Sequence, residues 1–388
     1  MTTIAADVPL YGLTDEQLEF RDVIRQIVRE RVTPRAAQID ATGEFPEDIR
    51  RLFADHDLFG LPFDEAHGGT GTGTLMLCVA IEEVAKGCAS SSLLLAVQDL
   101  GSLPIRLAGS EELKERVLPR LASGEWLAAF ALSEPDAGSD PGAIRTRARK
   151  DGDEWVIDGA KNWITNAGVA DAYVVFALTD PGMPGTRGIS AFLVEADRPG
   201  FSISRLEHKM GMRGSPTGQP LLDGVRVPGA NLIGERGDGF RIAMRTLDHS
   251  RLGIAAQALG IAQGATDYAV AYACDRIAFG KPIIDLQGIQ FKLADMETRC
   301  AAARELLYRA AAKAERHERD LGKYSAMAKL FCSDVAMEVT IEAVQVLGGY
   351  GYVTEYPVER MMRDAKLTQI YEGTNEIQRV VIARALRT

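Results

Sequence analysis

Three segments hold residues able to do chemistry. The last, Ile370-Tyr-Glu-Gly-Thr-Asn-Glu-Ile-Gln378, sets Glu372 beside a glycine just ahead of a helix start. Thr374 or Asn375 can cap that helix, and Gln378 completes a capping-box pattern from Asn375. A carboxylate there either complements the helix dipole or serves as a base. A second segment, Lys161-Asn-Trp-Ile-Thr-Asn166, follows an Asp158-Gly159 turn. On a strand, Trp163 and Thr165 share one face. They would pair a flat stacking surface with a hydroxyl donor, as a planar cofactor ring requires, unless Trp163 is simply a core residue. The earliest segment, Phe130-Ala-Leu-Ser-Glu-Pro-Asp-Ala-Gly-Ser-Asp140, is dense in Ser, Gly and Asp. Such a loop offers N–H groups and hydroxyls to an anionic ligand, or is an ordinary entry loop.

Other chemistries lack their signatures. There is no Walker A motif, no G-x-S-x-G elbow, no H-E-x-x-H and no Rossmann fingerprint after a strand. His56, His67, His208, His249 and His317 are isolated, so no metal site is expected. Carboxylates working with an organic cofactor become the better candidates. The net charge of −10 disfavours a nucleic-acid partner, although a local basic pocket for an anion can coexist with it. Cys78, Cys88, Cys274, Cys300 and Cys332 are scattered and form no C-x-x-C. They read as small apolar residues in a reducing compartment, with the cytoplasm the expected location. The N-terminus MTTIAADVPLYGLTDEQ shows no leader pattern, and no apolar run is long enough to span a membrane.

The elements that must position these segments fall into three textures. Residues 1–124 read as helical. A capping box at Thr14 and Gln17 opens the first helix, and further helices are expected near Glu47–Leu58, Leu75–Lys86, Ser91–Leu107 and Glu111–Leu121. The glycine-rich stretch His67–Gly73 reads as a loop. Residues 125–236 carry turn dipeptides between short β-rich runs (EWVI, DAYVVFAL, GISAFLVE, FSISRL, VRVP), the pattern of a small antiparallel barrel or sandwich. Residues 237–388 return to helical periodicity. Ile254, Ala258, Ile261, Ala265, Tyr268 and Tyr272 form one stripe, and Tyr324, Phe331, Val335 and Val339 another, suggesting core packing in a four-helix bundle. The expected fold is mainly α with a central β domain, and its domain boundaries offer clefts for a cofactor.

In combination, LSEPDAGSD, KNWITNA, KMGMRGSPT, RIAFGKPI, QVLGGYGY and IYEGTNEIQ resemble the acyl-CoA dehydrogenase family over residues 12 to 388. LDHSRLGIAAQALGIAQ and LQGIQFKLADM are similar to its short-chain, butyryl-CoA branch. The resemblance implies FAD as cofactor. Phe130, Leu132, Ser133 and Ser139 would form one wall of the flavin pocket, with Ser139 also near the substrate's CoA portion. Trp163, Ile164 and Thr165 would lie against the ring, Thr165 near N5. Arg276, Phe279 and Gln287 would hold the FAD of a neighbouring subunit, and Gln345, Val346, Gly348 and Gly349 would cover its diphosphate and ribityl region. Thr374 and Glu376 would meet the adenosine diphosphate end. Asp248, Arg251, Gln257, Tyr371 and Gly373 would contact acyl-CoA, with Gln257 either flooring a pocket for about four to six carbons by family analogy, a buried polar floor disfavouring a long alkyl tail, or hydrogen-bonding elsewhere in the bundle.

Glu372 would be the base, removing the α-proton while the β-hydride passes to flavin N5, giving a trans-2-enoyl-CoA. Its backbone N–H and a flavin ribityl hydroxyl would hold the thioester carbonyl. Electrons would go to electron-transfer flavoprotein from a homotetramer, a dimer of dimers. Some relatives carry the base at the position of Ser250, and serine there excludes that arrangement. Ala278, Thr in many relatives, agrees with the short-chain branch, whereas Gln219-Pro220 departs from the usual acid–Leu pair. Branched-chain isobutyryl- or 2-methylbutyryl-CoA dehydrogenation is the alternative. The chain is short for an acyl-CoA oxidase, Ser92 replaces the Arg that glutaryl-CoA decarboxylation needs, and retention of Glu372, Trp163 and Thr165 argues against a non-catalytic flavin- or acyl-CoA-binding paralogue.

Overall fold

The structure is a computed structural model that describes residues 12–183 and 185–387; residues 1–11, on which the absence of a leader was read, lie outside the described residues. Helix α1 (Asp15–Ile27) starts at the expected capping box: Thr14 Oγ1 accepts from Gln17 N–H at 3.2 Å, and Gln17 Oε1 accepts from Thr14 N–H at 3.0 Å. Helices α2 (Ala36–Thr42), α3 (Glu47–Asp55), α4 (Gly73–Gly87), α5 (Ala89–Ala108) and α6 (Glu111–Ala122) complete the first helical region. Helix α4 has no side-chain cap of its own. Glu315, from a much later helix, supplies one by accepting Leu75 N–H at 2.9 Å.

The β region contains β1 (Ala128–Ala131), β2 (Arg147–Asp151), β3 (Glu154–Ala160), β4 (Ile164–Thr165), β5 (Ala172–Leu178), β6 (Ile189–Glu195), β7 (Phe201–Leu206), β8 (Thr217–Pro228) and β9 (Leu232–Ile233). Their order is β4-β8-β3-β2-β5-β6-β9, with β1 beside β5 and β7 beside β8. The sheet is mixed rather than purely antiparallel, because β5 pairs parallel with both β1 and β2. The continuous apolar runs of β5 and β6 follow from burial on both faces. Tyr173, Val175 and Ala177 enter the main core, while Ala172, Val174 and Phe176 enter a second core against α5 and α6. The period of two thus divides one strand between two cores. Pro220 sits in β8 opposite Ile203, where the β7–β8 register shifts before Leu206, as expected where a residue cannot donate to the ladder.

Helix α7 (Gly239–Asp275) is the longest element, and a two-stranded ribbon of β10 (Ile277–Ala278) and β11 (Lys281–Pro282) follows it. Helices α8 (Gln287–Glu315), α9 (Leu321–Leu347) and α10 (Pro357–Thr368) pack with α7 as the four-helix bundle, and α11 (Asn375–Ala385) lies against α9. Helix α4 approaches α7 at Gly260, where a Cβ would stand 2.3 Å from Glu82 O, so only glycine permits this spacing. The α7 stripe is buried from Ile254 to Ala265. The α9 stripe is not wholly core: Val335 and Val339 are buried, but Phe331 is exposed. Among the described residues no helix is long and apolar enough to cross a membrane.

Candidate active site

Glu372 sits between α10 and α11 in a turn whose backbone is held in the left-handed region, with φ +51° at Glu372 and +90° at Gly373. For a non-glycine residue this conformation costs on the order of 1–3 kcal/mol and persists only where the surroundings enforce it. Gln378 Nε2 does so in part, donating to Gly373 O at 2.8 Å and Glu372 O at 3.3 Å. A Cβ on residue 373 would meet Gln378 Nε2 at 2.7 Å, which explains the glycine. The expected capping box from Asn375 to Gln378 does not form. Thr374 is the N-cap, accepting from Ile377 N–H, and Gln378 is engaged with the turn instead.

The Glu372 carboxylate accepts from Ser250 Oγ on α7 at 2.6 Å. Burial pushes its pKa up to about 7, against the lowering effects of the Ser250 hydroxyl and the Arg251 and Lys329 cations. Its backbone N–H meets no backbone or side-chain acceptor among the described residues. The turn therefore presents a carboxyl whose pKa is raised to about 7 and an unpaired N–H from the same residue. Arg251, buried on α7, donates to Asp248 Oδ1 at 2.7 Å, while its Nε has no protein partner. Tyr371 donates to Gln257 Oε1, and Gln257 Nε2 donates to Ala89 O and Ser92 Oγ, both at 2.9 Å. Gln257 is therefore fully satisfied. Of the two expectations for Gln257, the amide hydrogen-bonded within the bundle is the one observed, and burial has cost this side chain none of its hydrogen bonds.

A second group forms around the sheet. Phe130 lies on β1 with its ring centroid 5.0 Å from that of Phe176. Trp163 does not share a strand face with Thr165. It precedes β4 at φ +62° and is 60% exposed, so the period-two reading is corrected and Trp163 is not a core residue. Ile164 points into the core, Thr165 is half-buried and Ser139 is exposed.

What ties the two motifs together is a pair that sequence reasoning missed. Lys161, fully buried, donates to Glu134 Oε1 at 2.8 Å and Leu132 O at 3.1 Å. Glu134 also accepts from Arg145 N–H at 2.6 Å and Thr146 N–H at 3.1 Å, and Asn162 N–H donates to Ser133 O at 2.9 Å. The signal available was an acid in one motif and a lysine in the other, without a register to join them.

The third group lies at the far ends of α7 and α9. Arg276 covers the Tyr350 ring at 5.3 Å from its centroid. Phe279 is 92% exposed at φ +53°, and Gln287 and Gln345 are also exposed. No atom stands within 4 Å of a Cβ built on Gly348 or Gly349, so their backbones are open to a ligand. Val346 faces the core. Glu376 is exposed at the start of α11, where its own helix-start N–H lowers its pKa. No side-chain hydrogen bond or ion pair among the described residues joins Arg276, Phe279 or Gln287 to Glu372 or Trp163. An uncovered indole near a hydroxyl suits a planar ring, and, separately, bare glycine backbone near a guanidinium suits a diphosphate; FAD carries both groups.

Comparison with known proteins agrees. The sequence matches the N-terminal domain of acyl-CoA dehydrogenases over residues 14–125, the middle domain over 129–225 and the C-terminal domain over 237–387. It is 51% identical over 377 residues to the probable acyl-CoA dehydrogenase FadE25 of Mycobacterium tuberculosis, covering 97% of each chain. The structure of butyryl-CoA dehydrogenase from Megasphaera elsdenii is similar with a TM-score of 0.94 and 44% identity, covering 97% of this chain and 100% of that one. A chain solved in work on the electron transferring flavoprotein of Acidaminococcus fermentans gives a TM-score of 0.95 and 42% identity, covering 97% and 99%. With its three domain matches and these full-length likenesses, this chain belongs to the acyl-CoA dehydrogenase family of FAD-dependent oxidoreductases acting on CH–CH groups.

Proposed function

We propose that the protein dehydrogenates short-chain acyl-CoA, straight or branched, to the trans-2-enoyl-CoA, with Glu372 as the base. The observation that carries this is a buried carboxyl with its pKa raised to about 7, borne on a turn whose own N–H is unspent. An α-proton beside a thioester is weakly acidic, and a carboxylate near neutrality is better matched to it than one in water. The Glu372 N–H would donate to the thioester carbonyl as negative charge gathers there. Asp248, Arg251, Tyr371 and Gly373 would surround the acyl-CoA, and Ser139 would reach its CoA portion. FAD, when bound, supplies the hydride acceptor. Phe130, Leu132, Ser133, Trp163, Ile164 and Thr165 would orient its ring, with Ile164 restricted to backbone contact, and Thr374 and Glu376 would meet its adenosine diphosphate end.

A short acyl pocket is supported by the Tyr371–Gln257–Ser92 network, which a longer alkyl tail would have to pull apart. Butyryl-CoA should be used in preference to palmitoyl-CoA, and the reverse order would refute the short pocket. We further propose a homotetramer built as a dimer of dimers, divided near residues 124/125 and 236/237 into three domains. The uncovered Phe279, with Ile277 and Tyr352 also exposed, supports burial against a neighbour that Arg276, Gln287, Gln345, Val346, Gly348 and Gly349 would serve. Electron-transfer flavoprotein is the proposed electron acceptor, a reading supported by the likeness to the chain from Acidaminococcus fermentans.

The test compares Glu372→Gln with Glu376→Gln by anaerobic single-turnover bleaching of the flavin. The first keeps shape and N–H but removes the base. Reduction should fall by at least about a hundredfold while acyl-CoA still binds. Glu376→Gln should chiefly weaken FAD retention. Reduction at the wild-type rate in Glu372→Gln would exclude Glu372 as the base.

A further inference from the structure

Lys329 lies in the middle of α9 with no exposed surface, although lysine is almost never fully buried without a partner. Its Nζ donates to Gly373 O at 2.9 Å and to Asn375 Oδ1 at 2.9 Å. Those acceptors flank Thr374 in the turn that carries Glu372. Asn375 is itself anchored to α9, its Nδ2 donating to Asp334 Oδ1 at 2.8 Å and its side chain meeting Ser333 Oγ. The turn is thus gripped from α9 by an ammonium and from α7 by the Ser250 hydroxyl on the carboxylate itself. Neither the composition of α9 nor the IYEGTNE motif announces this.

We propose that Lys329 is a positioning residue for the proton-abstraction step: its buried ammonium holds the Glu372–Gly373 turn in its left-handed form and, while protonated, places a positive charge behind the base. This rests on the reading of Glu372 as the base. Two effects combine. Gly373 O accepts from both Lys329 and Gln378, so the Glu372 carboxylate and N–H are presented in one fixed relation. The ammonium also favours the charged form of Glu372, alongside Arg251 and Ser250 and against Asp99. Lys329 in turn faces Glu372, Arg251, Asp334 and Glu376, with burial the dominant influence lowering its own pKa to about 7. Base and lysine are therefore coupled near neutrality, and removal of the lysine charge makes the base harder to ionise.

The experiment uses FAD-loaded enzyme with Lys329→Met, Lys329→Gln and Lys329→Arg. Single-turnover flavin reduction is followed across pH, and the Glu372 carboxyl is titrated by infrared difference against Glu372→Gln. Lys329→Met should reduce the reductive rate roughly ten- to a hundredfold with little change in substrate affinity, the scale expected when a reacting group is displaced slightly. Its rising rate–pH limb should move to higher pH. Lys329→Gln retains a donor without the charge, so the limb should shift while more of the rate survives. Lys329→Arg should return the limb toward its wild-type position. An unshifted limb and unshifted carboxyl titration in Lys329→Gln would overturn the proposal even if Lys329→Met fails to fold. If Glu372→Gln proves fully active, the base assignment fails. The infrared titration then still decides whether Lys329 is coupled to Glu372.

Discussion

Replacing Lys161 by methionine tests whether the Glu134–Lys161 pair is what joins the Ser133 loop to the Trp163 segment. The lysine has no exposed surface and Glu134 almost none, so the substitution leaves a carboxylate enclosed in protein without a counter-charge. Breaking such a pair from one side costs about 3–5 kcal/mol. The lost bond to Leu132 O adds about 1 kcal/mol. Methionine refills the space of the aliphatic stem, and Glu134 keeps the N–H donors of Arg145 and Thr146, which reduces the penalty. The expected net loss is about 3 kcal/mol. Urea unfolding of the FAD-loaded protein measures it, and the ratio of bound flavin to protein reports the local consequence. Leu132 and Ser133 should drift relative to Trp163 and Thr165, so flavin retention should fall along with stability. A Lys161→Met protein within about 0.5 kcal/mol of wild type, the range of ordinary surface substitutions, and still saturated with flavin would refute the reasoning.

Other expectations follow from the same geometry. Flavin reduction should rise with pH through about 7 as Glu372 ionises, and Ser250→Ala, which removes a donor to the charged form, should move that limb upward in a stopped-flow pH series. Burial raises Asp364 to about 7 from the ordinary 3.8, with Met212 N–H donating to it. Its favourable contribution is complete below pH 3.8 and is lost as pH rises through 7, so Asp364→Asn should be stabilising by up to about 4 kcal/mol at pH 8 and by less at pH 5; urea midpoints that do not separate with pH would contradict this. Phe279→Asp should give smaller particles with less flavin in sedimentation runs, and an intact FAD-loaded assembly would argue against a subunit contact at that residue.

The sequence made the α, β, α order legible because period and punctuation are local properties. Thr14 and Gln17 sit three residues apart, and the cap forms as read. Tertiary relations were another matter. The parallel pairing of β5 with β1 and β2 leaves no local mark, since a strand covered on both faces is apolar in either orientation. Trp163 was misplaced because alternation holds only within extended backbone, and a positive φ breaks it. The α9 stripe included Phe331 because periodicity defines a face without saying how wide the buried part is. In the candidate site, Glu372 stood out through its motif. Lys161 and Lys329 did not, because a buried lysine is recognisable only once its acceptors are in place around it.

Helix α7 carries Ser250 and Arg251 beside Glu372 and ends just before Arg276, which covers the Tyr350 ring. These two points are fixed to one rod, so the rod acts as a gauge between two sites. Deleting a single residue between them would turn the distal end by about 100° and draw it in by about 1.5 Å. A seven-residue insertion would nearly restore the facing direction, being only about 20° from two full turns, yet would overshoot by about 10 Å. No insertion preserves both angle and reach. This stretch should therefore tolerate no change of length even where a side chain can be exchanged, and a scan of single deletions should show a sharp block of inactivity between residues 251 and 276, with tolerance resuming only in the loops beyond the two ends of α7.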